Sequence, residues 1–187
     1  MAEALSRWTR GQPLSPLLAR LAIERAKTTG SLPSTYPQLV HEYVAALRHP
    51  SSSALSEEDY FRAARIIAKL SVDEELSPRS VNADLLRGWL GAESEHAQFC
   101  DEQGRTVVAA QVVEQLVRSG LLLRSVELAT VRIRFSDDPI AEYLYAMHVA
   151  LQPTNVIETL SARISLRPQE AQGLAEALAQ VLHPRPL

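Results

Sequence analysis

Residues 106–135, TVVAAQVVEQLVRSGLLLRSVELATVRIRF, decide the fold, because the hydrophobic period changes within them. After Gly120, residues 121–123 and 131–135 have the pattern of two short strands joined by a connection. Thr106 is expected to cap a helix before them, and Gly120 to end it. The apolar residues of that helix share one face: Val108, Val112, Val113, Leu116 and Val117. The stretch therefore predicts a helix followed by a β-hairpin.

Two further helices are predicted upstream of this stretch. Ser56 is a good N-cap, because three acidic residues follow it at the positive end of the helix dipole. A shorter helix is expected over residues 81–90, and residues 91–104 are expected to form a polar loop. From residue 56 to residue 135 the predicted order is helix, helix, helix and hairpin, which is the order of a winged helix.

Helices also flank this unit on both sides. Asp138 and Pro139 are typical of the N-cap and the first helical position, so a helix is expected to begin there. The helical period predicts four more helices, over residues 14–27, 36–47, 154–166 and 168–182.

The predicted fold class is therefore mainly α, with a helical pair, a winged-helix-like unit that carries a short β-hairpin, and C-terminal helices. The corresponding domains are a helical segment over residues 1–50, the winged-helix-like domain over residues 51–137, and a C-terminal helical extension over residues 138–187.

The composition narrows the class of protein. Of the 187 residues, 46% are hydrophobic and 22% are charged, which is ordinary for a globular protein with a buried core. The 19 basic and 22 acidic residues give a net charge of −3, whereas dedicated nucleic-acid binders usually carry a basic excess. The single Cys100 excludes an internal disulfide and fits a reducing compartment. Neither a membrane span nor a secretory signal is recognisable, so we expect the cytoplasm.

The sequence carries no recognisable catalytic, cofactor or metal site. A phosphate-cradling G-x-x-x-x-G-K-[ST] loop is absent from it, so we do not expect this chain alone to hold or hydrolyse ATP. An enzyme with an unrecognised site is a third class with no positive signal behind it. The histidines are scattered and make no metal-ligand spacing with Cys100, namely His41, His49, His96, His148 and His183.

The acidic pair Asp137 and Asp138 has a structural interpretation. Asp138 is expected to cap the helix that follows, because acidic residues are favoured at a helix N-terminus. Glu142 lies one turn further along that helix and is expected to be an ordinary polar residue. We therefore assign no catalytic role to these carboxylates.

A winged helix that binds DNA is the alternative function. Such a protein places basic and amide side chains of its third helix in the major groove. The wing adds three arginines, so this interpretation stays open. The polar side of the third helix carries few charges, namely those of Glu114 and Arg118 beside Gln111 and Gln115, and the wing carries Arg124, Arg132 and Arg134.

Two segments resemble a known family. The first is Ser15-Pro-Leu-Leu-Ala-Arg-Leu21, followed by Gly30-Ser-Leu-Pro33 and the helix that contains Tyr43. The second is Leu116-Val-Arg-Ser-Gly-Leu-Leu122, followed by Phe135-Ser-Asp-Asp-Pro-Ile-Ala-Glu-Tyr-Leu144. Together, in this order and spacing, they resemble the helical and winged-helix region that follows the nucleotide-binding core of NACHT-type STAND signalling ATPases, and bacterial members in particular.

This resemblance implies a regulatory role without catalysis. Residues 1–50 would form a lid-like segment that, with the winged helix, closes over ADP or ATP held by the nucleotide-binding domain of the same or a partner chain. Pro16 would approach the nucleotide, with Gly11-Gln-Pro13 as the competing candidate. Asp137 occupies the position at which this family often places a phosphate-binding histidine, and a carboxylate would repel phosphate. Release of the lid would expose a surface for protein contacts or oligomerisation.

Overall fold

The computed structural model describes residues 16–31, 35–48, 54–96 and 98–183. These residues are mainly helical, with one small antiparallel sheet. The helices are α1 (Pro16–Thr29), α2 (Tyr36–Leu47), α3 (Glu57–Val72), α4 (Ala83–His96), α5 (Ala109–Arg118), α6 (Asp138–Ala150), α7 (Thr154–Leu166) and α8 (Gln172–Leu182). The strands are β1 (Val81–Asn82), β2 (Leu122–Glu127) and β3 (Thr130–Phe135).

The middle of the chain has the arrangement of a winged helix. Along the chain the order is α3, β1, α4, α5, β2 and β3, and the strand order in the sheet is β1-β3-β2. Strand β3 is central, since it pairs antiparallel with both neighbours. Ile133 lies opposite Val81 on one side and opposite Arg124 on the other. The predicted fold class is confirmed.

Strand β1 corrects the prediction of a helix from residue 81. Val81 and Asn82 pair with Ile133 and Arg132 of β3. The helix then starts at Ala83, because the Asn82 side-chain carbonyl accepts the N–H groups of Asp84 and Leu85 at 2.7 and 3.1 Å. It continues to His96, so the first part of the predicted polar loop is also helical.

The predicted cap of α5 is wrong. The helix begins at Ala109, and Val108 occupies the N-cap position without a side-chain cap bond. Thr106 instead belongs to the preceding loop, where its hydroxyl donates to the side chain of Gln98 at 2.9 Å and its backbone forms a bridge with Cys100. The end of the helix follows the prediction, since Gly120 has a φ of 80° just beyond it.

The hairpin has longer strands than predicted. Pairing continues to the Glu127–Thr130 pair, so only Leu128 and Ala129 form the turn. Both have positive φ, 48° and 63°, which a type I′ turn requires. Most of the residues between the two predicted strands therefore belong to the strands. The sequence did not indicate this, because the two turn residues are not the asparagine and glycine that usually mark a type I′ turn.

Helix α6 runs through the centre of the molecule. It packs along α3 on one side and along α8 on the other. Asp137, rather than Asp138, occupies its N-cap position, and the Asp137 side chain makes no cap bond. The predicted cap was thus one residue too late, because Asp138 and Pro139 already have helical conformation. Its fully or nearly buried side chains include Ile140, Ala141, Leu144, Tyr145, Ala146 and Val149.

The flanking helices share this core. Helix α2 meets α3 through the stacked rings of His41 and Phe61, whose centroids lie 4.2 Å apart. Ser56 caps α3 as predicted, since its hydroxyl accepts the N–H of Asp59 at 3.2 Å. Helix α7 has the predicted bounds, whereas α8 starts at Gln172 instead of residue 168. The stretch Pro50-Ser-Ser-Ser53, whose composition predicts a linker between α2 and α3, lies outside the described residues.

Candidate functional site

The two residues predicted to approach a nucleotide lie on different elements. Pro16 is the first residue of α1, and its side chain lies outside what the structure describes, as do residues 11–13. Asp137 lies at the N-cap of α6 and is half-buried. Of these residues, Asp137 is the one whose side-chain surroundings the structure describes.

Helix α2 packs against both α1 and α6, and its Tyr43 lies within electrostatic range of charged residues on α1 and at the N-cap of α6. Burial raises the pKa of this half-buried side chain, and the negative charge of Asp137 raises it further. Arg20 acts in the opposite direction, and Glu24 in the same direction as Asp137. We call these four residues the α1–α2–α6 junction. The two sequence segments that carry the family resemblance thus approach each other closely enough to interact electrostatically.

The charges at the junction do not favour phosphate. Asp137 and Glu24 carry one negative charge each, and Arg20 carries one positive charge. Arg20 also lies 3.8 Å from Glu24, and both side chains are well exposed. A carboxylate offers only acceptors to a phosphate oxygen and repels it. Arg20 and the Tyr43 hydroxyl are the side-chain donors at the junction, but the two carboxylates outnumber the one guanidinium and disfavour a phosphate there.

The polar face of α5 is partly neutralised by the wing. Arg124 of β2 forms a close ion pair with Glu114 of α5. Gln115 cannot read a base edge, because its side-chain carbonyl accepts the backbone N–H of Leu55 at 2.7 Å. Two of the side chains that a DNA-binding interpretation would use are therefore engaged within the protein.

On the outer face of the sheet, positive charge is likewise partly neutralised by a carboxylate. The Arg132 guanidinium lies 3.3 Å from the Glu127 carboxylate and donates to the carbonyl of Ser80 at 3.3 Å. Among the described residues, neither Arg118 on α5 nor Arg134 on β3 has an ion-pair partner. Of the four arginines that the sequence offers on α5 and the wing, the described ion pairs therefore engage Arg124 and Arg132 and leave Arg118 and Arg134.

A shallow groove of about 340 Å³ lies beside this sheet face. It contains both signs of charge, since Arg134 and Arg79 face Glu127 and Asp138 across it. Arg79 is already paired with Glu74 and lies 3.5 Å from Glu75. A groove of this composition does not select an anion or a cation. The remaining lining residues are Pro78, Ser80, Ser125 and Phe135.

Exposed apolar side chains lie on two parts of the winged helix. On α4, Leu85 is 54% and Trp89 is 41% exposed, one helical turn apart. At the wing tip, Val126 is 70% exposed and Leu128 is fully exposed. Pairs of large, solvent-exposed apolar side chains are more typical of a surface that contacts another protein than of a phosphate-binding face. Sequence analysis did not single out these residues, although Leu85 and Trp89 lie off the stripe formed by Leu86 and Leu90.

Glu142 of α6 is not an ordinary polar residue, contrary to the prediction. Burial raises its pKa to about 7, and the negative charges of Asp138 and Glu176 contribute in the same direction. No described residue forms a hydrogen bond or an ion pair with its carboxyl group. A Cβ atom added at Gly173 of α8 would overlap both of its carboxylate oxygens. A carboxyl group is thus held in the contact between two helices.

Three further observations complete the description. No cluster of histidine, cysteine, aspartate and glutamate among the described residues is arranged to hold a metal ion. Within the same residues, no helix has the length and apolar character needed to cross a membrane. Cys100 serves the fold through its backbone N–H, which donates to the Asp59 carboxylate at 2.7 Å.

Comparisons with protein families, with curated proteins and with solved structures find no match for this chain.

Proposed function

We propose that this chain is a non-catalytic regulatory module of a NACHT-type STAND signal-transduction ATPase in the cytoplasm. In this proposal the module packs over the nucleotide-binding core as an autoinhibitory lid and mediates protein–protein contacts. The observation that supports it is the α1–α2–α6 junction, where the charges of Arg20 in the first segment of the family resemblance and of Asp137 in the second both act on Tyr43. A lid needs its nucleotide-facing parts on one side, and this proximity of the two segments is consistent with that arrangement.

The charge distribution supports a protein partner over a free nucleotide. The junction carries more negative than positive charge, so the phosphates of ADP or ATP would be held by the core and not by this chain. Binding energy would come from apolar contacts such as those that Leu85 and Trp89 offer. A lid of this kind shifts between packed and released states when nucleotide exchange changes their relative free energies.

Nucleotide release from the core tests the proposal. The core to use is the one with a G-x-x-x-x-G-K-[ST] loop encoded in the same reading frame or next to it. We expect the 187-residue chain to slow dissociation of a fluorescent ADP analogue from that core, and to bind no nucleotide itself in calorimetric titration. Asp137→His is expected to slow dissociation further, because an imidazole N–H can donate to phosphate.

Asp138→His is the matched control, since it changes the neighbouring carboxylate and should leave dissociation as in the unmodified chain. Unchanged ADP release in the presence of saturating chain would contradict the lid. A gene neighbourhood without any such ATPase core would contradict the family assignment.

The alternative is a free-standing winged-helix transcriptional regulator, favoured by the arrangement of α5 and the wing. Each neutralised phosphate contributes about 0.9 to the salt dependence of duplex binding, and Arg118 and Arg134 would supply only about two such contacts. We therefore expect no mobility shift of duplex DNA at physiological salt.

A sequence-specific, submicromolar shift that is lost in an Arg118→Ala, Arg134→Ala double variant would establish the regulator instead. Arg167→Ala serves as the control, because Arg167 is a comparably exposed arginine that follows α7, away from α5 and the wing.

A further inference from the structure

We propose that α8 packs on α6 through a proton-dependent contact, in which the neutral form of Glu142 lies against Gly173 and ionisation of Glu142 weakens the packing. This inference does not depend on the proposed lid function. It would make the C-terminal helix responsive to pH near neutrality.

The contact gives the carboxyl group of Glu142 space but no described hydrogen-bond or ion-pair partner. Glycine at position 173 leaves space for the carboxyl group, since any Cβ atom there would overlap it. The neighbouring residues of α8, Leu174 and Ala177, are buried and apolar. A charge held in such surroundings loses hydration without gaining a partner, whereas a protonated carboxyl group loses far less.

The charges around Glu142 oppose its ionisation. Asp138 lies one turn earlier on α6, and Glu176 projects from α8. Helices α2, α3 and α7 and strand β3 also pack on α6, but the charges that act on the pKa of Glu142 are these two, both negative. Ionisation would therefore add a third negative charge near the exposed carboxylates of Asp138 and Glu176, and no described cation acts on Glu142 to offset them.

The sign of the pH effect follows from linkage. The pKa of Glu142 is about 7 in the folded protein, against 4.5 for an unperturbed glutamate. Between these values the packed state binds more protons than a state in which α8 has separated, so packing weakens as pH rises. From pH 6 to pH 8 this difference predicts an increase of about tenfold in the equilibrium constant for separation, or about 1.4 kcal/mol.

Amide hydrogen exchange tests the inference directly. After correction for the intrinsic pH dependence of exchange, we expect protection of residues 172–182 to fall about tenfold between pH 6 and pH 8. Residues 109–118 of α5 report on the rest of the fold and should not change. In Glu142→Gln, a neutral side chain of nearly the same shape, protection of α8 should be independent of pH and higher than in the unmodified chain at pH 8.

Two further variants make the result specific. Glu176→Gln removes a neighbouring negative charge and so lowers the pKa of Glu142 in the packed state, which should make the fall in protection of α8 between pH 6 and pH 8 smaller than in the unmodified chain. Glu158→Gln makes the same change on the exposed side of α7 and should behave as the unmodified chain does. The inference is overturned if the unmodified chain shows no fall, if Glu142→Gln keeps the same fall, or if Glu158→Gln abolishes it.

Discussion

Leu128 and Ala129 have a backbone conformation that conflicts with their side chains. Both have positive φ at the tip of the wing. For residues with a Cβ atom the left-handed region costs roughly 1–2 kcal/mol each, which glycine avoids and asparagine tolerates better. Leu128 also exposes its whole side chain to solvent, so it gains no burial in return. Neither residue is needed to hold the core together.

We therefore expect Leu128→Asn with Ala129→Gly to stabilise the protein. An Asn-Gly turn suits the type I′ geometry, and a gain of about 1 kcal/mol would raise the melting temperature by roughly 2–4 °C in a chain of this size. Thermal unfolding followed by circular dichroism measures it. Ala110→Gly is the control, because Ala110 is exposed on α5 and glycine there should lower stability by up to about 1 kcal/mol. An unchanged or lower melting temperature for the turn variant would contradict the prediction.

At the scale of elements, sequence analysis succeeded where a helix has a long apolar stripe. Helices α5 and α7 and the order of the winged helix follow from the 3.6-residue period. Strand β1 escaped detection because two residues are too few to show alternation. The hairpin turn escaped because Leu-Ala carries no turn signature. The starts of α2, α3 and α7 agree with the predictions, whereas the other helix starts were misplaced by one to four residues, since caps depend on backbone conformation that neighbouring helices also influence.

Contacts between elements were the least predictable part of the candidate site. Arg163 of α7 donates to the Asp73 carboxylate at 2.9 Å, and Tyr145 of α6 donates to the same carboxylate. The meeting of Glu142 with Gly173 likewise depends on how α6 and α8 cross. Pairs so distant in sequence leave no local pattern. A partly buried carboxyl group opposite a glycine is recognisable only once the helices are assembled.

At the scale of the whole molecule, the three predicted domains contribute to one hydrophobic core. Leu39 and Val44 of α2, Ile67 of α3 and Leu144 of α6 belong to the same buried cluster, together with Leu174 of α8. The helices before and after the winged helix therefore cover apolar faces of α3 and α6 that would otherwise meet water. Such sharing makes independent unfolding of the segments costly, because each would expose part of its neighbour.

We accordingly predict a single cooperative unfolding transition. With Trp8 replaced by phenylalanine, Trp89 becomes the one tryptophan in the chain and its fluorescence reports on α4. Its urea midpoint should coincide with that of far-ultraviolet circular dichroism, which reports on all helices.

Leu144→Ala, at a fully buried position of α6, should lower both midpoints together by the equivalent of about 2–5 kcal/mol. Leu166→Ala, at an exposed position of α7, should change stability by less than about 0.5 kcal/mol. If residues 138–187 form an independent unit instead, Leu144→Ala will shift part of the dichroism and leave the fluorescence midpoint of Trp89 unchanged.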